Sequence, residues 1–316
     1  MIGAPSTRIL SSMWKAFLQL NPNKVKTDSE RKVCLAVVGP EAIVRDVAEL
    51  LVGPVPEDYE RAAETLLLVP SPVTDDSLRA LRQCDIVLCS AEVTQELTGV
   101  DNERRFAFTA PAEIKQVIEN ILHVPFLGYT HLPLARALPG IRPIVGAMTI
   151  QNISVENAIF VVSTSLGNVI PNPLQPLASV AEAAGDLVVL TANQFRMLFQ
   201  LAAAHNRPLG LRQLSPEIAS ILGAAFGWRS IARELAGQIP LGGGVIPKAV
   251  IAFAGTWAVG DGIAYYYSTG RRLTKTEIKQ RFDAAYQKGR STAESMLGKL
   301  KDACIRFNPS AEHPQD

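Results

Sequence analysis

Charge and aromatic rings are scarce in this chain: 19% of its residues are charged and 6% aromatic, against 47% hydrophobic. The net charge is +1, so there is no general attraction for nucleic acid. Four cysteines, Cys34, Cys84, Cys89 and Cys304, form no C-x-x-C pair and no zinc-ligand spacing. That pattern points to free buried thiols in a reducing compartment. The histidines His123, His131, His205 and His313 are scattered, with no H-E-x-x-H, which removes the helical zinc-hydrolase motif. No G-x-S-x-G occurs either. The opening stretch has no continuous apolar core and no small-residue cleavage site, so it does not read as a secretory leader, and a cytoplasmic setting is expected. No metal, cofactor or catalytic residue is expected from any of these patterns.

With 316 residues, the chain has length for two domains of ordinary size. Residues 1–27 hold a short amphipathic helix and a linker. Ile9, Leu10, Met13, Trp14, Phe17 and Leu18 fall at helical spacing, so this helix either lies in a membrane interface with Trp14 at headgroup level or docks on the protein's own core. The polar run "NPNKVKTDSERK" then reads as the linker.

Residues 28–124 alternate between two periods. "KVCLAVVG", "TLLLV" (65–69), "CDIVLCSA" (84–91) and "RFAFTA" (105–110) read as strands, with "EAIVRDVAELL", "DDSLRALRQ", "VTQELTG" and "PAEIKQVIENIL" as the helices after them. Four strand–helix units in succession imply a parallel sheet. Strands that stay apolar without alternation imply burial on both faces. The fold class expected here is α/β followed by all-α: a small, doubly wound parallel sheet and then a bundle of helical hairpins.

The first strand–turn–helix is where a P-loop would stand. A working one reads G-x-x-x-x-G-K-[ST], its second glycine wrapping the phosphates, its lysine reaching them and its hydroxyl holding magnesium. This chain supplies Gly39, then Val44, Arg45 and Asp46. Val44 resists the backbone conformation that glycine allows, Asp46 puts a carboxylate where a phosphate would come, and Arg45 keeps the charge without the shape. No Asp-x-x-Gly follows the second strand and no Asn-Lys-x-Asp follows the fourth. The expected domain is therefore a degenerate, non-hydrolysing one. The alternative kept open is a nucleotide-binding regulator with an unorthodox site at Gly39, Arg45 and Asp46.

Residues 125–306 read as helical and 307–316 as a disordered tail. Residues 124–150 hold Pro125, Pro133, Pro139 and Pro143, so helices there are short or kinked. Asn157 to Ala181 carries no charge, and 235–260 carries only Lys248. A spanning helix needs about 20 apolar residues, and both stretches are interrupted, one by Pro171, Pro173 and Pro176 and the other by "PLGGGVIPK". Two half-length hairpins fit better than two spans, either entering one leaflet or forming a soluble core. The glycines 242–244 read as a hairpin turn. Asn193, Gln194 and Arg196 stand on an apolar helix, either bonded to Asp186 or Asp261 inside the bundle or as a solvated stripe. The last helix, about 274–305, is basic: from Arg271 to Arg306 there are ten Lys/Arg against four Asp/Glu. Tyr265 and Tyr266 with Arg271 and Arg272 suit an interfacial belt or ordinary packing.

"VVLTANQFRMLFQLAAAHNRPLG" (188–210) and "ILGAAFGWRSIARELAGQIPLGGGVIPKAVIAFAGTWAVGDGIAYYYSTGR" (221–271) resemble the bacterial YcjF-related domain of unknown function over about residues 155–272. That family is often found fused to or beside small-GTPase-like domains and is often described as membrane-associated. The resemblance implies a setting and no reaction. It implies a GTPase-type first domain whose nucleotide motifs have decayed, and a scaffold or regulator at the cytoplasmic face of a membrane. Its partner would be the membrane surface or a GTPase-type protein. Trp14, Phe17, Leu18, Tyr265, Tyr266, Arg271 and Arg272 are the expected contact residues. A fully soluble helical adaptor is the remaining alternative.

Overall fold

The four apolar runs become four strands of one sheet in the computed structural model of this protein. It describes the backbone over residues 22–53, 59–167, 175–210, 212–221 and 245–307, with side chains over 22–53, 59–164, 188–210, 212–221, 247–274 and 276–295. The chain divides into two units, one formed by 21–148 with 199–210, the other by 149–198 with 211 onward.

The first described unit opens with helix α1 (Pro22–Ser29), then β1 (Leu35–Gly39), α2 (Glu41–Val52), α3 (Tyr59–Thr65), β2 (Leu66–Pro70), α4 (Asp75–Leu81), β3 (Ile86–Ser90) and β4 (Arg105–Phe108). α5 (Ile114–Leu122) and α6 (His131–Ala137) follow, with short 3₁₀ turns between. All strand pairs are parallel, in the order β2-β1-β3-β4. Each central strand is buried along its whole length. Leu35, Val37, Ile86 and Leu88 pack with Val44, Val47 and Leu51 of α2 and Ile114, Ile118 and Ile121 of α5. Ala36, Val38, Val87 and Cys89 pack with Leu81 of α4 and with Val93 and Leu97 after β3. Two faces, each covered, are the reason these strands show no polar alternation. This is the doubly wound layout the sequence implies.

Three readings of this unit differ from the structure. Residues 22–29, expected as linker, are helical: Pro22 starts the helix where its missing N–H costs nothing, and the end is tied through Ser29 and Glu30 to Arg136. "VTQELTG" gives a 3₁₀ turn, Ala91–Glu96. And Cys34 and Cys84, expected as free thiols, form a disulfide with Cα atoms 4.6 Å apart, because β1 and the turn before β3 start side by side. Cys89 is free and buried, as expected, while the Cys304 side chain lies outside the described residues. The proline-rich stretch yields short helices up to Ile141, as expected, but Pro143 stands in the first turn of a 26-residue helix, Arg142–Gly167, where proline is tolerated. The stretch belongs to the sheet's unit, since Leu127, Leu134, Ile141 and Val145 join the same core as Leu35 and Leu88.

The second unit is helical. Its long elements are α7 (Arg142–Gly167) from Thr149 on, α8 (Gln175–Ala204) up to Leu198, α9 (Val245–Thr269) and α10 (Lys275–Phe307), and 215–221 is also helical. Within the unit, Ala158, Val161 and Val162 of α7 meet Ala249, Val250 and Phe253 of α9 and Ala293 of α10. A Cβ added at Gly289 would lie 2.9 Å from the Phe253 ring, so glycine there lets the α9–α10 hairpin close. Residues 168–174 and 222–244, the expected N-terminal helix with Trp14, Phe17 and Leu18, and the expected C-terminal tail all lie outside the described residues.

Candidate functional site

In an open α/β sheet, ligands bind where the strand order reverses, outside the carboxyl ends of the strands. Here that point lies between β1 and β3, at Gly39 and Ser90. One residue, Pro40, joins β1 to α2; its φ of −53° and ψ of 142° turn the chain straight into the helix. Val44 N–H donates to the Pro40 carbonyl at 2.9 Å, an ordinary helix bond, and its side chain is buried. Arg45 and Asp46 are exposed on the second turn of α2, while Gly39 is buried in the strand. The three residues do not gather round a common space.

At this point the two strands lie close together. A Cβ on Gly39 would lie 2.9 Å from the Ser90 Cβ, so glycine here serves close approach of two strands. The Gly39 carbonyl accepts from the Ser71 N–H at 2.8 Å. Ser90 is buried, and its carbonyl accepts from the Thr94 hydroxyl at 3.4 Å. Among the described residues no group of three His, Cys, Asp or Glu side chains is placed to hold a metal ion.

The helical unit carries a second arrangement: a buried layer of neutral polar groups. Asn157 on α7 is fully buried. Its Nδ2 donates to the Thr256 hydroxyl on α9 at 2.8 Å and its Oδ1 accepts from Asn193 Nδ2 on α8 at 2.7 Å. Gln194 Nε2 reaches the same Thr256 oxygen at 3.5 Å. Ser154 and Thr191 are buried beside this layer, their hydroxyls without a partner among the described residues. Of the expected partners, the Asp186 side chain lies outside the described residues, and Asp261 is not the one used. Asn193 and Gln194 bond to Asn157 and Thr256, Arg196 pairs with Glu156, and Asp261 pairs with Arg281. Sequence reasoning singled out Asn193 and Gln194 but missed Asn157 and Thr256. The signal available was Gln151, Ser154 and Asn157 recurring every three residues in an apolar helix.

Tyr265, Tyr266, Arg271 and Arg272 lie at the α9–α10 corner. Arg271 and Arg281 stand 5.1 Å and 4.9 Å from the Tyr265 ring centroid. Thr274 and Glu277 form a reciprocal capping box at the start of α10: Glu277 N–H donates to Thr274 Oγ1 at 3.3 Å, and Thr274 N–H to Glu277 Oε2 at 2.7 Å. Arg271, first, and the Thr274 donors, second, hold the Glu277 carboxyl down at about 2. Arg271 is thus paired with Glu277 at the corner, and it is exposed there like Arg272. Lys288 lies 3.9 Å over the Trp257 ring, and burial pushes its ammonium down. Several cations of the basic last helix are therefore turned onto α9.

Among the described residues one helical stretch, Pro139–Thr164, is long and apolar enough to cross a membrane, and 56% of its apolar window is buried in the protein. Comparison of the chain with protein-family models, with curated proteins and with solved structures found no match.

Proposed function

We propose that this protein is a non-enzymatic scaffold or regulator at the cytoplasmic face of a membrane, with a first domain that keeps a GTPase-like outline and no nucleotide site. The observation that carries the first part is the single residue between β1 and α2. A phosphate cradle needs a loop of several residues whose N–H groups converge on one oxygen cluster. Pro40 contributes no N–H, and the next amides enter the helix at once. The missing lysine and the Gly39–Ser90 contact also oppose a triphosphate at this turn.

The membrane part is supported by how polarity is distributed in the helical unit. Its buried layer is amide and hydroxyl, while Ile159 and Val189 are 47% and 37% exposed. Arg272 adds an exposed cation at the hairpin corner, worth about 1 kcal/mol near an anionic surface before salt screening. A GTPase-type protein is the other partner suited to such a scaffold.

Titration of the purified chain with fluorescent guanine and adenine nucleotides in magnesium is expected to show no saturable binding. Micromolar binding abolished by Arg45→Ala would instead establish the nucleotide-binding regulator. Sedimentation with anionic vesicles is expected to pellet the protein at low salt and release it at high salt. Retention in the supernatant at low salt, with an intact GTPase co-purifying, would replace the membrane by a protein partner.

A further inference from the structure

Away from the switch point, α1, α6 and the segment after α8 line an open cleft of about 470 Å³ within the first unit, with Lys26, Ser29, Glu30, Arg136, Asn206 and Arg207 among its walls. Volume of this size is in the range of small-molecule sites. Three helices end here, and a helix C-terminus ordinarily presents carbonyls and the negative end of its dipole. In this protein those acceptors are already used. The Lys26 carbonyl takes the Ser29 hydroxyl at 2.8 Å and the Glu30 N–H at 2.9 Å. The Ala135 and Arg136 carbonyls take the Arg142 guanidinium at 3.1 Å and 3.2 Å. α8 closes with Asn206 at φ 53°: Asn206 N–H reaches the Ala203 carbonyl and Arg207 N–H the Ala202 carbonyl, at 3.0 Å and 2.8 Å. Asparagine tolerates that left-handed conformation at a helix end.

What remains on the cleft wall is a set of donors. Arg136 is held in place with its side chain only 18% exposed. Its Nε donates to Asn206 Oδ1 at 3.0 Å, and its Nη1 donates to Ser29 Oγ at 3.3 Å and to Glu30 Oε1 at 3.2 Å. Nη2 makes no bond among the described residues, and neither do the Asn206 amide nitrogen and the Lys26 ammonium. Asn206 therefore has its oxygen committed to Arg136 and its nitrogen left over. Three cations, Lys26, Arg136 and Arg207, face one carboxylate, Glu30, so the wall carries a surplus of two positive charges. Burial first, and then Arg142 and Arg207, hold the neighbouring His205 ring down at about 4, as a locally cationic field would.

We infer that this cleft is a binding site for a small anion of the phosphate-monoester class, gripped by Arg136 Nη2 and the Lys26 ammonium, with the Asn206 amide completing the donor set. With Nε and Nη1 already committed, the two N–H groups of Nη2 are left for acceptor oxygens on a guanidinium whose position is fixed, and lysine supplies the point charge. Bound monoester links α1, α6 and the segment after α8, so occupancy of the site stabilises the first unit. The inference goes beyond the scaffold reading and does not depend on it.

The test is calorimetric titration of the full chain with inorganic phosphate and with inositol trisphosphate, and pelleting with phosphatidylcholine vesicles with and without a phosphoinositide. Saturable binding of one equivalent is expected. Exposed Lys26 permits Lys26→Glu without loss of the fold, checked by the thermal midpoint, and this variant is expected to weaken binding about tenfold or more. Arg136→Lys, which keeps the charge and loses the fixed Nη2 donors, is expected to weaken it by a smaller factor. Binding of the soluble phosphates identifies a free metabolite as the source. Binding confined to phosphoinositide vesicles, and lost in Lys26→Glu, identifies a lipid headgroup. No saturable binding to any probe, or binding that Lys26→Glu leaves intact, overturns the site.

Discussion

Lowering the pH should loosen the first unit through two histidines, and the size of the effect follows from their surroundings. Burial, followed by His123, pulls the His131 ring down from 6.5 to about 4; burial, followed by Arg142 and Arg207, does the same to His205. The unfolded chain protonates these rings near 6.5, the folded chain only near 4. Between those values the unfolded state holds more protons, so stability is intact above pH 6.5 and is lost as the pH falls toward 4. Each ring would lose about 2 kcal/mol at pH 5 for a fully enclosed site. Both rings are only half-buried, and halving for solvent screening leaves about 1 kcal/mol each, or about 2 kcal/mol together. In urea unfolding monitored by circular dichroism, this corresponds to a midpoint lowered by about 1 M for a slope near 2 kcal/mol/M. His131→Gln/His205→Gln removes both titrations. Its midpoint should fall by about 1 M less than the wild type's between neutral pH and pH 5. Parallel profiles for the two proteins would refute the reasoning, whatever their absolute stabilities.

Other consequences are equally direct. Gly39→Ala should cost about 1–3 kcal/mol by overpacking against the Ser90 Cβ, and Ser90→Gly in the same chain should recover part of it; thermal melts of the single and double variants test this. Asn157→Ala should cost about 2–4 kcal/mol, because it leaves buried Thr256 and Asn193 groups short of a partner. Thr256→Val combined with Asn157→Ala should cost less than the sum, and additive values would deny the hydrogen bond. Alkylation of the denatured, unreduced protein followed by mass spectrometry should label Cys89 and leave Cys34 and Cys84 unlabelled; labelling of all three would rule out the bridge.

The sheet was legible because its physics is local. Runs such as Leu35–Val38 and Ile86–Cys89 combine strand-forming residues with continuous hydrophobicity, and only a strand covered on both faces has a use for that pattern. The Pro40 turn was legible too, since the departures from a phosphate loop lie within eight residues of sequence, Gly39 to Asp46. What escaped were pairings made by tertiary contact. Asn157 meets Thr256 across a separation of 99 residues, and Cys34 meets Cys84 across 50. Helix α1 looked like linker because its polar residues give no apolar stripe; its anchor, Arg136, lies 107 residues from Ser29. At Arg271 the exposed position among tyrosines was legible, while its pairing with a glutamate six residues later, placed by a capping box, was not.

The buried polar layer also constrains how the helical unit can meet a membrane. A Cβ on Gly260 would lie 2.7 Å from Met197 Sδ and 2.8 Å from Ile150, so α7, α8 and α9 approach closely enough there for short side chains to bond across the seam. Asn157 uses both ends of its amide in doing so, and an amide buried in apolar surroundings without such partners is costly. The described helices are thereby committed to one another at the level of Asn157, Asn193 and Thr256, and separating them to thread into lipid would strand all three groups. Their outer faces are under no such constraint: Ile159 and Val189 face outward on the same helices, and Arg272 lies at the corner. On the proposed membrane reading, a bundle that keeps its polar contacts inside and exposes Ile159 and Val189 suits attachment to a surface more than passage through it. The charge-poor composition then reflects the demands of tight helix packing, and it does not by itself argue for a spanning segment.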